Sequence, residues 1–257
     1  MNATTARKAL KAAALPLGVF DRRSPDDLVV LIYHRVGTGG REIDVSAGDF
    51  ERQIELLART GRARTLDAAL EDGRGGVIVT VDDGFRDFHE VVVPTLVRHG
   101  VPAHLYLATG LVRDEGGPSD GLTWAQIQDA TSTGLVSIGA HTHSHADLRE
   151  ASERAAHSEM ARSKDLIEQH LERACRHFAY PWSFASAGAE KAARELFDSA
   201  ALLWQTNRRG RLDPHRLGRT PVMQADGLRF FRAKVDGHLD KEALIYKALR
   251  KGPWSKR

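Results

Sequence analysis

From Leu28 onward, short runs of apolar residues alternate with amphipathic segments, and this alternation constrains the fold more than any other feature of the chain. The runs are LVVLIYH (28–34), VIVTV (77–81), AHLYLAT (103–109), LVSIGAH (135–141), HFAYP (177–181), ALLWQT (201–206) and RTPVM (219–223). Several are apolar almost without interruption, which suits strands covered on both faces in a parallel sheet. Between them lie helical patterns over Asp49–Thr60, Asp87–His99, Trp124–Thr133 after a Thr123 N-cap, Ala151–Cys175 and Ala189–Phe197. Gly100 and Gly134 stand where helix-ending glycines belong. Repeated strand–helix units imply parallel strands joined by crossovers. About seven strands in one α/β unit point to a single (β/α) barrel over an open doubly wound sheet. No Gly-x-Gly-x-x-Gly follows a strand, which argues against the dinucleotide-binding version. In either architecture the chemistry belongs at the C-terminal ends of the strands.

Composition sets the outer limits. The 257 residues are 42% hydrophobic and 28% charged, an ordinary globular balance. A net charge of +3, with no Lys/Arg run interleaved with aromatics, argues against nucleic acid as a partner. Cys175 is the only cysteine, which excludes an internal disulfide framework and is compatible with a reducing compartment. Residues 1–27 read as an N-terminal extension with a mobile or peripheral helix. Its apolar stretch, Ala12–Phe20, is broken by Pro16 and is shorter than the about 20 residues needed to span a bilayer. It lacks a convincing small-x-small cleavage site, so the expectation is a cytoplasmic protein with at most weak membrane-surface contact through this segment. Residues 28–250 form the expected main domain and 251–257 a basic tail.

Four apolar strands end in chemistry-bearing residues: His34-Arg35, Asp82-Asp83-Gly84, His141, and Pro181-Trp182-Ser183. Adjacent carboxylates repel, and neighbours on a regular strand point to opposite faces. Asp82 and Asp83 can share one site only if the chain twists out of the strand, which Gly84 eases by tolerating positive φ. A bound cation would relieve their repulsion. Taken alone, Asp-Asp-Gly reads as a polar turn opening the next helix. In His141-Thr142-His143-Ser144-His145, the i, i+4 spacing puts His141 and His145 on one side of a helical turn. The i, i+2 spacing along a strand would instead pair His141 with His143. Either pair plus one carboxylate leaves an open position, the makeup of a catalytic metal site rather than a structural one.

These residues resemble the polysaccharide deacetylase family, the NodB-homology group of carbohydrate esterases that includes chitin and peptidoglycan N-deacetylases. Its Thr-Phe-Asp-Asp-Gly motif appears as Thr80-Val81-Asp82-Asp83-Gly84, and its His-Ser/Thr-x-x-His motif as His141 to His145. A third, Tyr-Pro-aromatic-Gly, appears as Tyr180-Pro181-Trp182-Ser183. LIYHRVG (31–37), VSAGDFERQIELL (45–57), VPTLVRHGVPAHLYLATG (93–110) and LTW (122–124) resemble the surrounding family segments. The similarity spans roughly residues 28–223.

The resemblance implies a distorted (β/α) barrel of the polysaccharide deacetylase type that hydrolyses an acetyl group from a sugar nitrogen, or from oxygen as a near neighbour. It implies Asp83, His141 and His145 as ligands of a divalent metal, usually Zn2+, with Co2+ or Ni2+ in some members. It makes Asp82 the general base and the backbone N–H of Trp182 an oxyanion donor, the indole forming part of the pocket wall. Arg219, in LGRTPV, resembles a later-strand arginine that orients the base; a surface salt bridge is the alternative. Ser183 departs from the family's glycine, and the arginine expected before Tyr180 is missing. The family's late Leu-x-His acid has no clear counterpart, leaving His34, His143 and His238 as candidates for general acid. Two rivals remain: an amidohydrolase-type site built on His141-x-His143, and a catalytically inactive barrel that only binds glycan or a partner protein.

Overall fold

The computed structural model describes residues 27–37, 40–203, 207, 210 and 212–237. The N-terminal extension up to residue 26, the basic tail and His238 lie outside the described residues.

Seven strands close into an all-parallel barrel in the order β1-β4-β5-β6-β7-β8-β9. They are β1 Leu28–Tyr33, β4 Gly76–Asp83, β5 Ala103–Leu107, β6 Val136–Ala140, β7 His177–Ala179, β8 Ser199–Leu203 and β9 Leu217–Pro221. Closure comes from β9 pairing with β1, with Val30 opposite Arg219 and Ile32 opposite Pro221. Two short strands, β2 (Arg35–Val36) and β3 (Asp44–Val45), form a separate parallel pair after β1. Every residue of β1 and β5 is buried, as expected of strands covered by helices outside and side chains inside.

The helices are α1 (Ala47–Thr60), α2 (Leu66–Asp72), α3 (Val93–His99), α4 (Trp124–Ser132), α5 (Glu153–Leu171), α6 (Ala187–Leu196) and α7 (Leu228–Val235). Ser46, Thr65, Thr123, Ser152 and Ser186 cap α1, α2, α4, α5 and α6 by accepting a first-turn backbone N–H. Thr123 and Gln126 complete a reciprocal capping box. Gly100 ends α3 in the left-handed conformation, where a glycine carries no Cβ penalty.

Several sequence expectations change in detail. The pattern over Asp87–His99 divides into a π-helical turn at Phe88–Val92 followed by α3, and the long charged helix is shorter at both ends. Helices α2 and α7 have no counterpart in the periodicity reading. Leu66 and Ala69 of α2 join the apolar cluster inside the barrel with Leu28, Ile78, Tyr106, Ala179, Ala201 and Leu217. That helix precedes β4, so it plugs the barrel's N-terminal mouth and leaves the C-terminal mouth open. No described helix is long and apolar enough to cross a membrane.

Candidate active site at the carboxyl ends of the strands

β4 carries the first acidic pair. Asp82 follows the inward-facing row of Ile78 and Thr80, and it is buried. Asp83 departs from the strand with φ 76°, and Gly84 follows at φ 100°. The twist therefore begins at the aspartate itself, one residue earlier than a flexible Gly84 alone would place it. A left-handed non-glycine residue is a conformation that the surroundings must enforce. A Cβ at Gly84 would also lie 2.4 Å from Leu107 Cδ1, so that leucine would have to move.

The histidine segment leaves β6 without forming a helix. Thr142 (φ 62°) and His145 (φ 56°) are both left-handed, and these two reversals, not a helical turn, bring His141 and His145 together. Glu159 of α5 holds the loop by accepting the backbone N–H groups of His143 and Ser144 at 3.0 and 2.8 Å. His143 turns aside: its Nδ1 lies 3.0 Å from Thr109 Oγ1. The alternative strand pairing of His141 with His143 is therefore not formed.

Asp83, His141 and His145 offer ligand atoms that all lie within 4.8 Å of one another. His141 Nδ1 stands 2.7 Å from the Ala179 carbonyl oxygen. A carbonyl can only accept, so Nδ1 carries the hydrogen and Nε2 presents its lone pair to the cluster. Asp83 Oδ1 lies 3.7 Å from His141 Nε2 and 3.2 Å from His145 Nε2. It is buried without an aligned hydrogen-bond partner among the described residues. Two imidazoles and a carboxylate converging on one point with an orphaned oxygen fit a divalent cation.

Electrostatics agree with that donor chemistry. Burial pushes His141 down to about 4, with the opposing pull of Asp82 and Asp83 unable to restore it, so it is neutral near pH 7. For Asp83, burial raises the carboxyl, but contact with His145 and the fields of His34 and His141 hold it below the usual carboxylate range. His145 is lowered by burial and raised more by Asp83 and Asp82, for a net upward shift.

Arg219 on β9 reaches Asp82 on β4 over the intervening β1, Nη1 to Oδ1 at 2.6 Å, with the arginine side chain 0% and the aspartate 2% exposed. The alternative of a surface salt bridge is excluded by that burial. Asp82 Oδ2 instead faces His141 Nε2 at 3.6 Å.

A cleft of about 430 Å³ opens over these groups, lined by His34, Arg41, Phe85, Leu111, Tyr180 and Trp182 among others. Trp182 is 48% exposed and its indole meets the His145 ring edge-on at 5.3 Å. Trp182 (φ 57°) and Ser183 (φ 63°) are consecutive left-handed residues. The serine at the family's glycine position thus keeps the glycine-like backbone. His34, at the end of β1, lines the same cleft, and burial lowers its imidazole more than Asp83 and Asp82 raise it.

The sequence reading overlooked Glu159, Phe85 and Asp87, the rim partner of Arg35. Arg35 Nε binds Asp87 Oδ1 at 2.7 Å and Nη1 binds Asp120 Oδ2 at 2.9 Å, tying the loops after β4 and before α4 to the cleft's edge. Phe85 directly follows the Asp82-Asp83-Gly84 motif, a positional signal that was available; Glu159 sits in a polar helix face with none.

A seven-stranded parallel barrel with an acid–histidine cluster at its open mouth is the architecture of the NodB-homology class. The comparisons with known proteins agree. The polysaccharide deacetylase family model matches residues 70–197. The Bacillus subtilis protein YxkH, named as a polysaccharide deacetylase, is 27% identical over 180 residues, covering 66% of this chain and 62% of that protein. The chain thus spans less than two thirds of that relative's length. Among solved structures, the Streptococcus pyogenes deacetylase PplD superposes with TM-score 0.73 at 22% identity, over 82% of this chain and 99% of the other. IcaB from Ammonifex degensii gives TM-score 0.71 at 26% identity, over 84% and 98%. The chain carries a polysaccharide deacetylase domain.

Proposed function

We propose that the chain is a metal-dependent hydrolase that removes an acetyl group from the nitrogen of an acetylated sugar in a polysaccharide or glycan precursor. The observation that carries this reading is the convergence of Asp83, His141 and His145 beside a buried, arginine-held Asp82 at the open end of the barrel.

Asp83, His141 and His145 would hold the cation. A divalent ion bound there supplies Lewis acidity, acidifying water and polarising the acyl carbonyl. Asp82 takes a proton from the attacking water through Oδ2, because Oδ1 is engaged by Arg219. Arg219 fixes the carboxylate plane through its bond to Oδ1. The backbone N–H of Trp182 donates to the acyl oxygen as negative charge develops there, and its indole walls the acetyl pocket. His34 gives a proton to the departing amine. It is supported over His143 by position, since His34 lines the cleft whereas His143 points to Thr109. His238 lies outside the described residues. The side-chain direction of His143 also counts against the His141-x-His143 amidohydrolase reading, and intact Asp82 counts against an inactive barrel.

Acetate release across N-acetylated and O-acetylated sugars, nucleotide sugars and lipid-linked sugars tests the reading. N-acetyl substrates should release acetate, and Asp82→Asn should abolish release while retaining bound metal. Unchanged turnover in Asp82→Asn would remove Asp82 as the base, and release from O-acetyl sugars alone would reassign the leaving group.

A further inference from the structure

Arg219 is held by less than its burial would lead one to expect. Its guanidinium makes one hydrogen bond, Nη1 to Asp82, while its buried Nε and Nη2 have no hydrogen-bond partner among the described residues. One donor contact leaves a long side chain free to pivot about it. Tyr106 on β5 lies against the guanidinium, its ring centroid 5.3 Å from Arg219 Cζ. That is within the roughly 6 Å reach of a cation over an aromatic face, where the attraction is strongest when both groups are desolvated. Tyr106 is fully buried and lies directly opposite Asp82 in the β4–β5 register.

Tyr106 is itself wedged from below. The His104 ring packs on it edge-to-face at 4.5 Å, and the His177 ring meets His104 at 5.3 Å. His177 Nε2 then reaches Asp67 of α2 at 3.1 Å. The stack runs without a gap from Asp82 through the barrel axis to the helix that plugs the opposite mouth. Gly139 of β6 makes room for it: a Cβ there would stand 2.5 Å from His104 Nε2 and 3.0 Å from Tyr106 Cδ1. The Tyr106 hydroxyl has no partner among the described residues, so its aromatic face, not its oxygen, contacts the arginine.

We propose that Tyr106 is a positioning residue for hydrolysis, its ring acting as the platform that holds the Arg219 guanidinium against Asp82. This rests on the reading of Asp82 as the base. Removing the ring lets the guanidinium swing from the carboxylate plane, which slows the proton transfer without touching the sugar.

The test compares Tyr106→Leu, Tyr106→Met and Tyr106→Phe in the full chain. Loss of the ring should lower kcat about tenfold or more with KM changed less than about twofold, and Phe should restore most of kcat. Met covers the case in which Leu fails to fold. A double-mutant cycle of Tyr106→Met with Arg219→Met, read by denaturant unfolding, needs no substrate. It should show at least about fivefold coupling in the unfolding constant, about 1 kcal/mol. Additive effects in the cycle, full kcat without the ring, or equal losses in Phe and Leu would each overturn the proposal. Absence of acetate release by the wild-type protein from every sugar would sink the deacetylase reading, while the cycle would still decide the Tyr106–Arg219 contact.

Discussion

Replacing Arg219 by Met isolates the interaction that ties the barrel wall to the proposed base. The two side chains are 0% and 2% exposed and meet at 2.6 Å, so neither charge has water to fall back on. Methionine fills much of the arginine stem's volume, so the loss is chiefly electrostatic: Asp82 stays buried with its arginine partner removed. Breaking a buried pair on one side typically costs about 3–5 kcal/mol. At about 2–4 °C per kcal/mol for a chain of this size, the melting temperature should fall by roughly 6–20 °C. Urea unfolding followed by circular dichroism, with calorimetry alongside, measures both quantities. The double variant Asp82→Asn/Arg219→Met should recover much of the loss, because no uncompensated charge then remains inside. A single-variant loss below about 1 kcal/mol, or a double variant showing the simple sum of two losses, would refute the buried pair.

Further outcomes follow from particular residues. Ser183→Gly should raise stability by about 1 kcal/mol, since φ 63° is costly for any side chain, whereas Ser183→Ala should change little; equal effects would contradict the left-handed turn. Ser186→Ala should cost about 1 kcal/mol by denaturant unfolding, because its hydroxyl caps α6. Burial pushes the Cys175 thiol up to about 12, so it stays protonated at pH 8 and should react with a disulfide reagent only on unfolding; rapid labelling of the folded protein would contradict its burial. Glu159→Ala should weaken metal binding at least about tenfold by freeing the His143 and Ser144 amides, with far-ultraviolet circular dichroism unchanged.

Much of the barrel was legible because a doubly covered parallel strand writes its burial directly into an apolar run, as in LVVLIY and VIVTV. The helices with wide apolar faces were legible too, whereas the seven-residue α2 is too short to establish a period, and its role as a plug depends on a mouth that exists only in three dimensions. At the site, residue types and spacing pointed to the acid pair and the histidine segment. How they meet was not legible: Asp83, Thr142, His145, Trp182 and Ser183 all take positive φ, and none is a glycine that would advertise it. The pairing of Asp82 with Arg219 spans 137 positions and arises from closure of β9 onto β1, which no local pattern encodes.

Zinc content after equilibrium dialysis, measured on the wild type and four single variants, tests the central claim most directly. The wild type and His143→Ala should bind zinc stoichiometrically, while Asp83→Ala, His141→Ala and His145→Ala should lose it with their folds intact. Loss of zinc in His143→Ala with retention in His145→Ala would contradict the assignment and return the site to a His-x-His hydrolase.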